Sequence, residues 1–212
     1  MGATDTEKHV VVIGGDGIGH EIIDAARRVL DAAAGKHGVT ITWEEQKAGG
    51  EAIDAFGEPL PQQTIDACRA ADAVLLGAVG GPKWDNVDPA IRPEKAILGL
   101  RKALGLFCNL RPVKIFPALQ AYSPLKQELV SGVDFVIVRE LTGGIYFGER
   151  EEAHGEGPNE QAWDKETYSR YEIERIMDVA METARRRRGK VTSVDKANVL
   201  AASRLWRKIS GE

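Results

Sequence analysis

The chain has 212 residues, of which 28 are Lys or Arg and 32 are Asp or Glu, so its net charge is −4. Charges of both signs are mixed along the chain, which argues against a basic surface that binds nucleic acid. The 2 cysteines, Cys68 and Cys108, provide no disulfide framework, and the apolar runs are too short for a signal peptide or a membrane span. The composition therefore favours a cytoplasmic protein that binds neither nucleic acid nor membranes.

The first hundred residues alternate between strand and helix patterns. Short apolar runs predict strands at Val10–Ile13, Val39–Trp43 and Ala73–Leu76. Apolar residues at helical spacing predict helices at Glu21–Ala34 and Pro61–Ala71. This strand–helix alternation predicts an α/β fold with a parallel, doubly wound sheet flanked by helices.

Helices and strands continue through the second half of the chain. The predicted elements are a helix at about 95–104, apolar segments at 106–110 and 113–116, a strand at 134–139 that resumes at 145–148, a charged loop or exposed arm at 149–161, a helix from about Ser169, a strand at 191–194 and a helix from near Ala197. Apolar Leu200, Leu205, Trp206 and Ile209 in the last helix predict that it packs against a further element.

A glycine-rich turn, Gly14–Gly19, follows the first strand and opens the first helix. Glycines let a backbone approach a phosphate closely, and a helix N-terminus offers free N–H groups to it. The dinucleotide-binding pattern requires Gly or Ala at its last position, where this sequence has His20 or, in the other register, Ile22. The pattern thus favours a tight packed turn over a pyrophosphate-binding loop.

Three arginines are candidates for binding a substrate with two carboxylates. Arg139 ends an apolar strand, at the edge where open α/β sheets bind ligands. Arg101 lies on a predicted helix and Arg111 precedes Pro112, and guanidinium groups pair with carboxylates in two-point geometry. The alternative is that each arginine pairs with a nearby acid such as Glu140 or Glu94. Tyr146 lies just past Gly143-Gly144, and Lys196 lies just past a predicted strand at the start of a helix. Either is a candidate for proton transfer, although either residue alone is more often structural.

Six segments along the chain carry a family resemblance. They are GDGIG at 15–19, GAVGGPKWD at 77–85, IRPEKAILGLRK at 91–102, NLRP at 109–112, VRELTGGIYFGE at 138–149 and SVDKANVL at 193–200. In this order they resemble the β-decarboxylating dehydrogenases of the isocitrate/isopropylmalate dehydrogenase family. The resemblance departs at Gly14 and His20, where the family commonly has proline.

The resemblance implies a two-domain α/β fold with a parallel or mixed sheet flanked by helices. Residues 1–105 are then part of a first, cofactor-side domain, and 106–212 part of a second domain for substrate binding and dimerisation, with an exposed arm at about 149–161. The C-terminal part of the fold is expected to be missing. In this family GDGIG is a turn at the domain core rather than a phosphate loop.

The resemblance also implies roles for the candidate substrate-binding and catalytic residues. Arg101, Arg111 and Arg139 are expected to hold the carboxylates of a malate, and Ile97 and Leu98 to meet its isopropyl group. Tyr146 is expected to protonate the enolate after carbon dioxide leaves. Lys196 is expected to help remove the hydroxyl proton of the substrate bound by the other subunit of a homodimer.

NAD and Mg²⁺ or Mn²⁺ are the cofactors that the resemblance implies. Gly81, Pro82, Lys83 and Trp84 are expected to border the NAD, and Glu94 to lie beside its nicotinamide ribose. The resemblance assigns no metal ligand to this sequence, because the family's metal-binding aspartates are expected beyond its end.

The implied activity is NAD-dependent oxidative decarboxylation of (2R,3S)-3-isopropylmalate to 4-methyl-2-oxopentanoate, in leucine biosynthesis. The 212-residue chain alone is expected to be inactive. The apolar Ile97 and Leu98 argue against isocitrate, because they offer no ion pair to its third carboxylate. The alternatives are a related 3-alkylmalate or tartrate dehydrogenase, or a non-catalytic assembly fragment.

Overall fold

The computed structural model describes residues 6–212. The chain divides into two compact units, one ending at Gly105 and the other spanning Leu106–Glu212. No helix in this described part of the chain is long and apolar enough to cross a membrane. The assignment of the two units to a cofactor side and a substrate side stays a prediction.

A three-stranded parallel sheet forms the centre of the first unit. The elements, in chain order, are β1 (Thr6–Gly15), α1 (Gly19–Lys36), β2 (Val39–Glu45), α2 (Gly50–Phe56), α3 (Gln62–Ala70), β3 (Ala73–Ala78) and α4 (Glu94–Ala103). The strand order is β2-β1-β3, and β1 pairs in parallel with both neighbours. The predicted α/β class, with its parallel sheet and flanking helices, is confirmed.

The core of the first unit lies between β1 and two helices. Val11 and Ile13 of β1 are fully buried and belong to one apolar cluster with Cys68 of α3 and with Ala96 and Leu100 of α4. A strand flanked by parallel neighbours is covered on both faces, which explains the continuous apolar run of β1. This core fixes α4 against the sheet and so positions the other face of α4.

Helix α2 is not among the predicted elements. It has 7 residues, too few to show a helical period, and it lies between two glycines with positive φ, Gly49 at 79° and Gly57 at 78°. Glycine adopts this left-handed conformation without steric cost, so the two residues set the bounds of the helix.

The second unit contains two antiparallel strand pairs and two longer helices. Its elements are β4 (Cys108–Lys114), α5 (Gln127–Val130), β5 (Asp134–Glu140), β6 (Arg150–His154), β7 (Gln161–Asp164), α6 (Arg170–Arg185) and α7 (Ala201–Ser210). β4 pairs with β5, and β6 with β7. Helix α6 packs against β5 and α7. A reciprocal capping box between Ser169 and Glu172 begins α6 where the sequence predicts it.

Two predicted strands are wrong. The residues at 145–148 continue a short 3₁₀ turn, Gly144–Tyr146, which starts at a glycine with φ 73° rather than in extended backbone. The residues at 191–194 are irregular, and no strand of the described chain pairs with them. A β-strand needs a neighbour to bond with, and local composition cannot supply one.

The predicted arm at 149–161 is exposed, but it is not a loop. Most of it belongs to the β6–β7 hairpin, whose residues are all exposed except the half-buried His154. The predicted interruption at Arg111-Pro112 is also absent, since β4 runs through both residues. β4 has β5 as its one neighbour among the described strands, and an edge strand tolerates proline because one side needs no N–H donor.

Candidate active site

The glycine-rich turn after β1 is packed against its own chain. A Cβ on Gly15 would meet the carbonyl oxygen of Ala78 well inside van der Waals contact, and one on Gly19 would meet that of Gly14 in the same way. The close approach that these glycines allow is therefore made to backbone of the protein itself. This geometry is that of a tight core turn.

Asp16, at the centre of this turn, is buried and joins three loops. Its carboxylate accepts backbone N–H groups from Gly50 at 2.8 Å, Glu51 at 2.7 Å and Gly80 at 2.7 Å. These donors follow β2 and β3, so one side chain ties together the loops at the carboxyl edge of the parallel sheet. Open α/β sheets bind their ligands at this edge.

The loop with the predicted NAD-binding residues is held on α2. Pro82, Lys83 and Trp84 form a short 3₁₀ turn after Gly81. Lys83 and the indole N–H of Trp84 both donate to the Asp54 carboxylate, and the Trp84 ring packs on Gly50 so closely that a Cβ there would clash. The unpredicted α2 thus fixes the shape of this loop.

The Glu94 carboxylate lies next to the same loop, because its Oε1 atom is 3.0 Å from where a Cβ on Gly80 would stand. Glu94 begins α4, and Ile97, Leu98 and Arg101 follow it at positions i+3, i+4 and i+7. These spacings place all four on one face of the helix, while Ala96 and Leu100 are buried on another. One face of α4 therefore carries, in order along the helix, the acidic Glu94, the apolar Ile97 and Leu98, and the basic Arg101.

In the second unit, Arg139 and Tyr146 are brought together. Arg139 lies near the end of β5, and its guanidinium is 5.3 Å from the centroid of the Tyr146 ring. On β4, Asn109 stands directly opposite Arg139, and Arg111 is two residues further along. Residues i and i+2 of a strand share a face, so Arg111 and Arg139 are diagonal neighbours on one face of the strand pair.

The alternative that Arg139 pairs with Glu140 is wrong. The Glu140 carboxylate instead accepts a hydrogen bond from Arg175 of α6 at 2.7 Å. Within residues 6–212, Arg139 makes no ion pair, and Arg111 donates to the neutral side chain of Asn109. Both guanidinium groups are therefore available to a carboxylate from outside this part of the chain.

A cavity of about 710 Å³ opens beside Arg139 and Tyr146. Its wall also includes Tyr168, whose ring stacks edge-on against Trp206 at a centroid distance of 5.2 Å. Burial raises the pKa of Tyr168, negative charge on Glu140 and nearby acids raises it further, and Arg139 opposes the shift. Tyr168 therefore stays a neutral phenol. Sequence reasoning missed it, because no pattern marks a tyrosine that precedes a helix cap.

Lys196 lies elsewhere in the second unit. It is exposed, it is not among the residues lining the cavity, and its backbone N–H donates to Ser203 Oγ at 3.0 Å. Its neighbour Asp195 is paired with Arg207, whose hydrogen bond lowers the pKa of the Asp195 carboxyl. Val194, two residues before Lys196, does line the cavity, and a role of Lys196 across a dimer interface stays a prediction.

The family is established by sequence comparison. Residues 9–212 match the isocitrate/isopropylmalate dehydrogenase family, and the chain belongs to it. Among similar proteins, the 3-isopropylmalate dehydrogenase of Oceanobacillus iheyensis is 56% identical over 206 residues, which are 97% of this chain and 55% of that protein. The 3-isopropylmalate dehydrogenase of Vibrio parahaemolyticus is 54% identical over 211 residues, 99% of this chain and 58% of that protein.

Solved structures of the same class share the fold. The isocitrate dehydrogenase of Methylococcus capsulatus superposes with a TM-score of 0.74 at 34% identity, over 96% of this chain and 56% of that one. A β-decarboxylating dehydrogenase of Thermococcus kodakarensis gives a TM-score of 0.69 at 36% identity, over 96% of this chain and 53% of that one. The chain spans about half the length of these relatives.

Proposed function

We propose that the protein to which this chain belongs is a 3-isopropylmalate dehydrogenase of leucine biosynthesis, which oxidises and decarboxylates 3-isopropylmalate with NAD. Two arginines on one strand face, Arg111 and Arg139, carry this proposal, because neither has a carboxylate partner among residues 6–212. Arg111 is exposed and Arg139 is partly buried, so both guanidinium groups are accessible to an anion that binds from outside. A dicarboxylate substrate supplies such anions.

Arg139 is the group that orients the substrate beside the proposed acid. A guanidinium binds a carboxylate through two parallel N–H donors, which fixes direction as well as position. The adjacent Tyr146 is 54% exposed, so its phenol is accessible to a bound molecule. We assign to the Tyr146 hydroxyl the proton that the enolate carbon takes up after carbon dioxide leaves, and to the amine of Lys196 the removal of the substrate hydroxyl proton.

The residues of the first unit are suited to the ribose end of NAD. The Glu94 carboxylate is exposed, makes no hydrogen bond to another described residue and lies against the Gly80 backbone, and carboxylates are common acceptors for ribose hydroxyls. The loop from Gly81 to Trp84, which is held on Asp54 of α2, borders this proposed ribose site. NAD bound there supplies the hydride acceptor for C2 of the substrate.

A divalent cation has no site among the described residues. No group of three or more His, Cys, Asp or Glu side chains within residues 6–212 is arranged to hold a metal ion. We therefore assign no step to a cation held by these residues. The requirement for Mg²⁺ or Mn²⁺ is a proposal about the whole protein, as is the homodimer in which Lys196 serves the partner's substrate.

The apolar pair on α4 supports an alkylmalate rather than a tricarboxylate. Ile97 and Leu98 are half-buried and lie one turn before Arg101 on the same face of α4. A third carboxylate beside them loses its hydration without gaining an ion pair, whereas an isopropyl group gains apolar burial. Tartrate and other 3-alkylmalates lack the third charge, so they are the competing substrates to test.

The test measures NADH formation by the full-length protein with Mg²⁺ or Mn²⁺ and a panel of 3-isopropylmalate, isocitrate, malate and tartrate. We expect the highest kcat/KM with 3-isopropylmalate. A preference for isocitrate or tartrate contradicts the assigned substrate, and no turnover with any of them contradicts the enzyme class. The 212-residue chain is assayed beside it, and we expect it to be inactive.

A further inference from the structure

Glu140 lies between Arg139 and Tyr146 in sequence, but its side chain forms a hydrogen bond to neither of these proposed active-site residues and instead binds Arg175 and the backbone that follows Glu140. Its side chain is 1% exposed. One carboxylate oxygen accepts the backbone N–H groups of Thr142 at 2.9 Å and Gly143 at 2.7 Å. The other accepts the Thr142 hydroxyl at 3.0 Å and the Arg175 guanidinium at 2.7 Å.

Arg175 is fixed by packing as well as by charge. Its guanidinium carbon lies 4.5 Å from the centroid of the Phe107 ring and 5.1 Å from that of Tyr171. The same terminal nitrogen that meets Glu140 also donates to the Thr142 hydroxyl, while the Nε atom is buried without a hydrogen-bond partner among the described residues. One guanidinium therefore holds both ends of the Glu140–Thr142 segment against α6.

This segment leads directly into the turn that carries Tyr146. After Gly143, the N–H of Gly144 donates to the carbonyl of Thr167 at 2.8 Å, and Tyr146 ends the 3₁₀ turn that Gly144 begins. The turn is thus attached at its start to a buried carboxylate. Arg139, in contrast, is fixed by the pairing of β5 with β4, which does not involve that carboxylate.

We propose that Glu140 and Arg175 are positioning residues that set the place of Tyr146 relative to Arg139. The inference rests on the proposed function, since it concerns the proton donor of that reaction. Removing Arg175 leaves a buried carboxylate with the Thr142 and Gly143 donors but without its counter-charge, which favours movement of that carboxylate toward water. The Thr142–Gly143 turn moves with it, so Tyr146 is displaced while Arg139 keeps its place on the strand.

The decisive variants are Arg175→Met, Arg175→Lys and Glu140→Gln in the full-length protein. The matched control is Arg186→Met, which removes the exposed ion pair between Glu182 of the same helix and Arg186, the residue that directly follows it. We expect Arg175→Met and Glu140→Gln to lower kcat by about 10- to 100-fold, the range of lost positioning contacts, with a change in KM of no more than about threefold. Arg175→Lys, which keeps the charge, is expected to retain more of the parent kcat than Arg175→Met does. The control Arg186→Met is expected to leave kcat unchanged.

Two readouts separate positioning from general loss of structure. The solvent isotope effect on kcat is expected to rise in Arg175→Met, because proton donation from Tyr146 becomes slower relative to the other steps. Hydrogen–deuterium exchange of the peptide covering 141–148 is expected to quicken in Arg175→Met and not in Arg186→Met. This exchange reports on the structure of the 141–148 turn and does not depend on catalytic activity.

The outcomes also separate this inference from the proposed function. An active parent enzyme whose kcat and 141–148 exchange are unchanged by Arg175→Met overturns the positioning role alone. A fall in apparent kcat that only matches the unfolded fraction of the variant overturns it as well. An inactive parent contradicts the proposed function, and the exchange experiment still decides whether Arg175 holds the turn.

Discussion

The guanidinium of Arg139 lies over the ring of Tyr146, 5.3 Å from its centroid, although six residues and a turn separate the two in the chain. Successive side chains of a strand point to opposite faces, so Arg139 and the next residue, Glu140, take different partners. Glu140 meets Arg175, and this frees Arg139 from the acid nearest to it in sequence. A cation beside an accessible phenol is a suitable arrangement for binding an anion and protonating it.

The first prediction concerns the carboxylate-binding role of Arg139. Replacing Arg139 with Gln removes a charged hydrogen-bond donor, which costs about 1.5–3 kcal/mol, or roughly 10- to 150-fold in affinity. We expect KM for 3-isopropylmalate to rise by this factor while KM for NAD stays within about twofold of the parent value. Steady-state kinetics of the full-length protein check it, with Arg186→Gln as an exposed control directly after α6. Equal effects on both KM values contradict the assignment.

The second prediction concerns proton donation by Tyr146. The Tyr146→Phe variant keeps the ring beneath the Arg139 guanidinium but lacks the hydroxyl. Loss of a general acid lowers kcat by roughly 100- to 10,000-fold, and we expect KM to change much less. The measurement is single-turnover formation of the decarboxylated product, with NADH formation followed in parallel. A variant that releases product at the parent rate assigns the proton to another group, and Tyr168 on the same cavity wall is the next to replace.

The third prediction concerns the apolar face of α4. Replacing Ile97 with Ala removes methyl groups that the proposed isopropyl contact uses, and such contacts discriminate by about 1–3 kcal/mol. We expect the ratio of kcat/KM for 3-isopropylmalate to that for malate to fall by about tenfold. Val29→Ala, at an exposed apolar position of α1, serves as the control and is expected to leave the ratio unchanged. A ratio that is unaffected by Ile97→Ala places the alkyl group elsewhere.

The longer elements that bury apolar residues are the ones that the sequence predicts. β1 buries a continuous apolar run, α6 buries apolar residues at the helical period, and both lie where expected. The β6–β7 hairpin buries almost nothing, so its sequence shows no alternation, and only pairing between the two strands defines it. The segment at 191–194 has two valines and a threonine, which favour strands, but no neighbouring strand in the described chain.

The candidate site divides in the same way. Arg139 and Tyr146 are close in sequence and lie in one motif, so the resemblance identifies both. Arg175 acts on Glu140 from 35 residues away, across packed elements, and no local pattern contains that pairing. Local sequence thus identifies the groups that we propose to meet the substrate, while the groups that hold them become visible only when the chain is folded.

The fourth prediction concerns acid stability at the start of the parallel sheet. A hydrogen bond from the Lys8 ammonium at 2.8 Å and another from the His9 backbone N–H at 2.9 Å lower the pKa of Asp72. A carboxyl whose pKa is lowered on folding stabilises the protein above its unfolded pKa, and this stabilisation is lost as the pH falls through the lowered folded value.

Asp72→Asn is therefore expected to lower Tm at pH 7 and to lose this effect in acid. The difference in Tm from the parent should narrow as the pH falls below about 4, where the unfolded Asp begins to protonate, and vanish once the folded carboxyl is protonated too. Thermal denaturation across this pH range is the measurement, with the exposed Asp24→Asn as control. A difference that persists at the lowest pH shows that Asp72 stabilises the fold by packing rather than by charge.

The last prediction compares two glycines of one turn. Gly15 and Gly17 both have positive φ, 74° and 55°, so alanine at either position incurs backbone strain of about 1–2 kcal/mol. A Cβ on Gly17 meets nothing within 4 Å, whereas one on Gly15 meets the Ala78 carbonyl, which also accepts the Asp16 N–H at 2.7 Å.

Gly15→Ala must therefore push β1 away from the end of β3, in addition to the backbone strain that it shares with Gly17→Ala. We expect the free energy of unfolding to fall by more in Gly15→Ala than in Gly17→Ala, with a difference of about 1–3 kcal/mol, as for other overpacked sites. Chemical denaturation of the two variants measures it, and each serves as the other's control for the strain at positive φ. Equal losses contradict close packing of this turn against the Ala78 backbone, and they reopen the alternative in which its glycines make room for a ligand instead.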